Sequence, residues 1–337
     1  MERGRTAMYE PHTEPLVRVE DVSVHFPVRG GLPFGKKKQV KAVDHISLCI
    51  PKGETFGLVG ESGCGKSTLA NAILGMVRPT GGKIFFRGEE LTALSPKELR
   101  RARREMQMIF QDPFSSLNPR FDVYQLISEP MLIRGGCSRE DMEKRVIELL
   151  YLVGLTEDDL HRYPSDFSGG QRQRIGIARA ISLHPEFLVC DEPVSALDVS
   201  VHAQILELLM DLQEKLGITY LFISHNLAVV KDICPSVAVM FLGHIMETGD
   251  TKTIFNNPLH PYTQALLSAI PPSSPFEKKK EVPLKGEISS PIGEQRGCPL
   301  APRCPHCTQA CQEQLPVLRE VSRRHSVACL RYGTQGL

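Results

Sequence analysis

No stretch of roughly eighteen consecutive apolar residues occurs anywhere in the chain, so no segment is expected to cross a bilayer as a helix. Residues 1–14 are polar and charged without an apolar core, which argues against a secretion signal. An excess of one charge sign is missing too. Lys+Arg 40 against Asp+Glu 39 gives a formal net charge of +1, so there is no global electrostatic case for nucleic acid or for a bare anionic membrane. What is there is an ordinary globular composition, 41% hydrophobic and 23% charged over 337 residues, enough for one large or two modest domains with a real core. Cysteines set in apolar, strand-like runs, such as Cys49 and Cys190, point to a reducing cytosol rather than to disulfides. Partners and activity therefore have to come from local motifs.

Gly60 to Thr68 reads Gly-Glu-Ser-Gly-Cys-Gly-Lys-Ser-Thr and fits G-x-x-x-x-G-K-[ST], with Gly60, Gly65, Lys66 and Ser67 at the fixed places. The apolar run Thr55 to Val59 before it suits a buried parallel strand, and Ser67 to Met76 after it suits a helix. In that setting the glycines let the backbone curl so that successive N–H groups and the positive end of the new helix face the α- and β-phosphates of a nucleotide. Lys66 would reach the β- and γ-phosphates and the Ser67 hydroxyl would ligate Mg²⁺. The candidate cradle is Gly60, Glu61, Ser62, Gly63, Cys64, Gly65, Lys66, Ser67 and Thr68. The bland alternative is a glycine-rich turn before an ordinary helix.

Along the chain, apolar and polar residues alternate from Val17 to Phe26 and from Val40 to Ile50, which predicts two half-buried strands. The intervening residues 27–39, with Gly30, Gly31, Pro33, Gly35 and the lysines Lys36, Lys37 and Lys38, read as a long exposed loop. Lys83 to Phe86 suggests a further strand, and Ser95-Pro96 a helix start with proline at the first position. Arg100, Arg101, Arg103 and Arg104 lack interleaved aromatics and read as a solvated helix face. Met106 to Phe110 is a predicted strand, followed by helices over Val123–Arg134 and 138–153, so that residues 96–164 form a mainly helical insertion in an α/β domain. Further on, Phe187 to Cys190 and Thr219 to Ile223 read as strands around a helix over 200–216, the alternation expected of a mostly parallel sheet with helices on it. Val237 to Phe241 and His244 to Glu247 suggest a closing hairpin, and Pro261 to Ile270 a short helix. The prolines of 271–275 and the charged run 277–281 mark a boundary before a loop-rich, cysteine-rich remainder.

Four further groups stand at element ends. Ser168-Gly169-Gly170-Gln171 precedes the helix-compatible run 172–182 and would present a hydroxyl and N–H groups at a helix's positive end, a second anion site. One ATP needs one cradle, so the second suggests the other nucleotide of a head-to-tail dimer. Asp191 and Glu192 end a strand, the first placed to hold Mg²⁺ through water and the second to polarise an attacking water. Asp198 follows, and His225 ends the next strand, where an imidazole N–H could stabilise charge on a γ-phosphate. Gln111, also at a strand end, could sense Mg²⁺ and the water.

This order of phosphate loop, Gln111, Ser168–Gln171, Asp191-Glu192, Asp198 and His225 resembles the ATP-binding cassette ATPases over about residues 16–270. The resemblance implies a P-loop NTPase cassette over 15–270, with a RecA-like core, an antiparallel β-subdomain and a helical subdomain at about 96–164. It also implies two cassettes sandwiching two ATPs, each between one phosphate loop and the other subunit's signature, and an aromatic that stacks on adenine, for which Phe26 is the candidate. The family's usual Leu before the signature Ser is Phe167 here, an apolar exchange. No catalytic position is degenerate, which predicts an active ATPase. A finer similarity, to the ATPases of oligopeptide and dipeptide importers, lies in Phe110 to Arg120, in His260-Pro261-Tyr262-Thr263 and in the cysteine tail. It implies a second, related ATPase as heterodimer partner, two membrane permeases, an extracytoplasmic solute-binding protein, and a peripheral place on the cytoplasmic face of the inner membrane. A soluble cassette ATPase acting on nucleic acid or ribosomes is the rival class, and a redox sensor built on the tail is a third.

The tail, residues 271–337, is predicted to be a small extension. Cys298, Cys304, Cys307, Cys311 and Cys329 crowd into it while Pro299, Pro302, Pro305 and Pro316 forbid long regular structure, so thiolate ligation of a metal would supply folding free energy that the segment otherwise lacks. Zinc fits the close pair Cys304 and Cys307. The spacing Cys298-x₅-Cys304-x₆-Cys311-x₁₇-Cys329 resembles that of the peptide-importer ATPases, for which a [4Fe-4S] cluster on those four is implied, with Cys307 as a spare. Structural cysteines without metal are the alternative.

Overall fold

The computed structural model describes residues 15–28, 39–270, 282–286 and 296–332. The features expected at residues 1–14, at Lys36, Lys37 and Lys38, and at 271–275 and 277–281 lie outside the described residues. The chain divides into two compact units, residues 1–94 with 223–337, and residues 95–222.

The first unit opens with β1 (Pro15–Pro27) and β2 (Gln39–Pro51), whose alternating patterns bury Val17, Val19, Val22 and Val24 on one strand and Ile46, Leu48 and Ile50 on the other. β3 (Thr55–Val59) is buried at all five positions, as a near-continuous apolar run in a covered parallel strand should be. The phosphate-loop sequence leads from it into α1 (Lys66–Ile73), which buries Leu69, Ala70, Ala72 and Ile73. β4 (Gly81–Phe86) and β5 (Glu89–Glu90) complete an antiparallel sheet of order β2-β1-β4-β5.

The second unit begins with α2 (Pro96–Ala102), started as expected by Ser95: its hydroxyl accepts from the Glu98 N–H at 3.4 Å while the Glu98 carboxylate accepts from the Ser95 N–H at 2.9 Å. None of this helix is buried, so Arg100 and Arg101 lie on a solvated surface. β6 (Met106–Ile109) and the short α3 (Pro113–Ser116) follow, then α4 (Val123–Arg134), with the limits the sequence predicts, and α5 (Arg139–Leu152). α6 (Gly169–Ile181) starts three residues before the run 172–182 expected from sequence, because Ser168 and Gln171 close a reciprocal cap and draw both glycines into the first turn. It packs against α4, α5 and α7 (Val199–Leu216). Between these helices runs β7 (Phe187–Asp191), fully buried and paired in parallel with β6 from Met106↔Phe187 to Ile109↔Cys190.

β8 (Thr219–Ser224) brings the chain back to the first unit, where α8 (Leu227–Ile233) precedes β9 (Ser236–Phe241) and β10 (His244–Asp250). β9 lies parallel to β3, and β9 and β10 form the expected hairpin around Leu242 and Gly243, whose φ values of 42° and 82° match a type I′ turn. After α9 (Thr251–Asn256) and α10 (Pro261–Ser268), the described part of the tail holds α11 (Gln309–Glu313), β11 (Arg319–Ser322) and β12 (His325–Val327). β12 pairs with β10, and β11 with β12, so that the edge of β10 is covered. The sheets are therefore mixed, with parallel pairs at β3/β9 and β6/β7 and antiparallel pairs at β1/β2, β1/β4, β4/β5, β9/β10, β10/β12 and β11/β12.

Candidate functional site

In the first unit the loop between β3 and α1 is shaped by two glycines with no room for a side chain. A Cβ on Gly60 would run into the Met240 carbonyl oxygen, and one on Gly65, at φ +110° as the residue before the helix, into that of Ala42. Lys66 is 5% exposed, and its ammonium donates to the Gly60 carbonyl at 2.8 Å and the Glu61 carbonyl at 3.0 Å. A buried ammonium held by neutral carbonyls and the Cys64 sulfur is a strong electrostatic attractor for phosphate oxygens. Ser62, Gly63 and Ser67 are exposed, Gly65 and Thr68 partly so, and Cys64 is buried. Burial pushes the Cys64 thiol above its ordinary pKa, partly opposed by Lys66, so this cysteine is a packing residue and not a thiolate. The N–H of Gly243, in the β9–β10 turn, donates to the Cys64 carbonyl at 2.8 Å and so braces the loop from below. Phe26 lies near the end of β1 opposite Val40 and is 41% exposed as a residue. His225 is exposed between β8 and α8.

In the second unit the structure brings together Gln111 and Glu192, two residues that sequence could link only by supposition. The Gln111 amide Nε2 donates to Glu192 Oε2 at 3.0 Å. Glu192 follows the buried Asp191 at the end of β7 and has φ +48°, a left-handed conformation uncommon for a residue with a side chain. Its carbonyl accepts from the Ser195 N–H at 3.2 Å and the Ser195 hydroxyl at 3.0 Å, a tight turn that fixes the reversal and aims the carboxylate. Ser168 is exposed at the head of α6: its N–H donates to the Gln171 side chain at 3.0 Å and its hydroxyl accepts from the Gln171 N–H at 3.4 Å. Gly170 is needed for packing, since a Cβ there would lie 2.6 Å from Val201 Cγ1. Phe167 is buried with its ring 4.4 Å from the Arg162 guanidinium carbon, so the expected apolar exchange is accommodated. Asp198 is exposed as the residue that precedes α7.

In the tail, the Cys298 N–H donates to the Cys311 carbonyl at 2.7 Å. Burial, reinforced by the nearby thiols of Cys311, Cys329 and Cys304, pushes the Cys298 pKa up to about 12. These four thus lie within electrostatic reach of one another. Among the described residues, however, no three or more His, Cys, Asp or Glu side chains form a group that could hold a metal ion. Two residues that touch the phosphate loop were missed by sequence reasoning. Tyr262 and Arg303 both reach Glu61, and the only signal was the quoted His260–Thr263 run, which carried no role.

A family model described as "ABC transporter" matches residues 43–195, and one described as "Oligopeptide/dipeptide transporter, C-terminal region" matches residues 246–311. The chain is 47% identical over 328 residues to the oligopeptide transport ATP-binding protein AppF of Bacillus subtilis (strain 168), covering 96% of this chain and 100% of that one. It is 48% identical over 321 residues to the oligopeptide transport ATP-binding protein OppF of Escherichia coli (strain K12), covering 94% and 96%. Among solved structures it is similar, with TM-score 0.61 and 28% identity over 70% of this chain and 98% of the other, to a dimeric ATP-binding cassette, MJ0796, in a post-hydrolysis state bound to ADP and Pi.

Proposed function

The chain belongs to the ABC transporter family, and from that premise we propose that it is the ATP-hydrolysing subunit of an importer that takes up di- or oligopeptides. One observation carries this reading: likeness to oligopeptide transport ATP-binding proteins runs through 96% of the chain, including the C-terminal region specific to that group. The rival assignment to nucleic acid or ribosomes is not favoured by relatives that carry peptide-transport names.

ATP and Mg²⁺ are the expected ligands. Gly60 to Thr68 would wrap the phosphates, Lys66 would neutralise their charge, and Ser67, with Asp191 through water and Gln111, would hold the metal. When bound, the metal ion would supply Lewis-acid neutralisation of the phosphate charge that an attacking water must approach. Glu192 takes the role of general base. What supports it is its carboxylate geometry: held by the Gln111 amide, it is oriented before the water arrives. His225 would donate to the γ-phosphate, Phe26 would stack on adenine, and Ser168, Gly169, Gly170, Gln171 and Asp198 would cap the nucleotide of a second cassette. That second cassette is inferred to be a related ATPase, giving a heterodimer.

Membership of this family implies permease partners and a solute-binding protein, and hence work at a membrane; among the described residues no helix is long and apolar enough to cross one. On the side of the tail, Cys298, Cys304, Cys311 and Cys329 supply the soft donors that an iron–sulfur cluster, or zinc as its rival, would take, although among the described residues they are not gathered into a group that could hold a metal ion. A bound cluster would supply folding free energy to a segment with little core of its own.

Affinity capture of the full chain from membranes in mild detergent, followed by mass spectrometry and peptide uptake into vesicles, tests the proposal. Two polytopic permeases, a second cassette and ATP-dependent peptide uptake are expected; ribosomal or nucleic-acid partners without membrane proteins would overturn it.

A further inference from the structure

Two contacts to the phosphate loop come from outside it, and both converge on Glu61. The Glu61 main-chain N–H donates to Tyr262 Oη at 3.0 Å. The Glu61 carboxylate meets Arg303 Nη1 at 3.2 and 3.3 Å. Neither partner is loosely placed. Tyr262 is fully buried, with its ring 4.6 Å from that of Phe241, and its N–H is held at the start of α10 by His260 Nδ1 at 3.1 Å. The Arg303 side chain is only 13% exposed and lies 5.9 Å from the same Phe241 ring. Its main chain is pinned on both sides, the N–H to the Leu300 carbonyl at 2.8 Å and the carbonyl by the Lys285 N–H at 3.0 Å.

The electrostatic problem that this solves is plain. Glu61 follows Gly60 in a loop whose work is to receive a polyanion, and an uncompensated carboxylate there would repel it. Apart from Lys66, the loop from Gly60 to Thr68 carries no cation of its own. Arg303 supplies one from the tail, with a partly desolvated guanidinium. Tyr262 meanwhile takes up the Glu61 N–H, so that this peptide is fixed by the protein.

We propose that Arg303 and Tyr262 are positioning residues for the phosphate loop: the tail neutralises the Glu61 carboxylate and the tyrosine clamps its peptide, so that the C-terminal segment sets the affinity for ATP. The assignment rests on the reading of Gly60 to Thr68 as the ATP cradle. It predicts an effect on binding with little effect on the chemical step.

The test uses the full-length chain for MgATP titration calorimetry and the assembled transporter for steady-state hydrolysis. Arg303→Ala should weaken MgATP binding roughly tenfold and raise KM for ATP in step, with kcat at saturation within about twofold, because a partly buried carboxylate loses its salt-bridge partner. Arg303→Lys, which keeps the charge but not the fork, should recover most of the loss. Tyr262→Phe, which keeps the ring packing, should weaken binding several-fold. The pair Arg303→Ala/Glu61→Gln separates charge compensation from mere loosening of the tail: binding that returns towards wild type supports the proposal, since no carboxylate is left to neutralise, whereas binding as weak as in Arg303→Ala overturns it. Arg303→Ala with wild-type KM, or with kcat reduced at unchanged KM, also overturns it. Wild-type protein that fails to bind MgATP would overturn the cradle reading together with this one.

Discussion

Acidification from about pH 7.5 to about pH 5 should cost the chain about 2 kcal/mol of stability through a single imidazole, that of His260. The side chain is 1% exposed, and its Nδ1 accepts the Tyr262 N–H at 3.1 Å, which requires a lone pair on that nitrogen. Burial lowers its pKa from 6.5 to about 4, only partly opposed by the nearby Glu247 carboxylate. The folded state therefore holds His260 neutral at pH values where the unfolded chain has already taken up a proton. Its contribution is complete above pH 6.5, shrinks as the pH falls below that value, and is exhausted near pH 4. At about 1.4 kcal/mol per unit, the roughly 1.5 units between 6.5 and 5 give the stated 2 kcal/mol. Urea unfolding at both pH values measures it, with His260→Asn as the reference, because an asparagine oxygen can still accept the Tyr262 N–H and does not titrate. Wild type should lose about 2 kcal/mol more than the variant over this interval. Parallel losses, within about 0.5 kcal/mol of each other, would refute the claim that His260 is held neutral in the folded chain.

Three substitutions probe the remaining assignments. Glu192→Gln keeps the Gln111 contact site but removes the base; it should leave ATP binding intact, reduce kcat by about two to four orders of magnitude and accumulate a closed ATP-bound dimer in gel filtration, so normal turnover would sink the base assignment. Lys66→Ala removes the buried ammonium held by the Gly60 and Glu61 carbonyls and should abolish measurable MgATP binding, as read by calorimetry. Cys311→Ser should lower the iron content and visible absorbance of anaerobically purified protein, and unchanged metal content would remove the cluster from the account.

The elements that frame the candidate nucleotide site were legible because their signals are local. The G-x-x-x-x-G-K-S spacing and the apolar run before it were enough to place β3 and α1, and the limits of α4 followed from its own pattern. The signature helix was placed three residues late for a physical reason: glycines lower helix propensity, and only the reciprocal Ser168–Gln171 cap shows that they belong to the first turn. β11 and β12 were not legible, since four- and three-residue strands have too few positions for a period of two to register. The two residues on Glu61 were out of reach altogether. Tyr262 lies 201 residues away in sequence and Arg303 242, and a single contact at such a distance leaves no periodicity to read. The cysteine spacing likewise gave donors in a row but not their arrangement in space.

Glu247 explains why so remote a segment can hold the phosphate loop. Its carboxylate is 0% exposed and accepts from the Leu259 N–H at 2.8 Å, the His260 N–H at 3.0 Å and His325 Nε2 at 2.7 Å. One buried anion thus joins β10, the start of α10 and the tail strand β12, and removing a partner from such a set costs about 3–5 kcal/mol. The start of α10 carries Tyr262, so the tail supports Glu61 twice, directly through Arg303 and indirectly through the His325–Glu247–His260 connection. All of these residues belong to the first unit, whereas the Gln111–Glu192 pair belongs to the second. On the proposed roles, the contacts around Glu61 bear on affinity and the Gln111–Glu192 pair on hydrolysis. Substitutions around Glu61 should appear in KM and those around Glu192 in kcat, and a variant of Arg303 that slowed turnover at saturating ATP would show that this division is wrong.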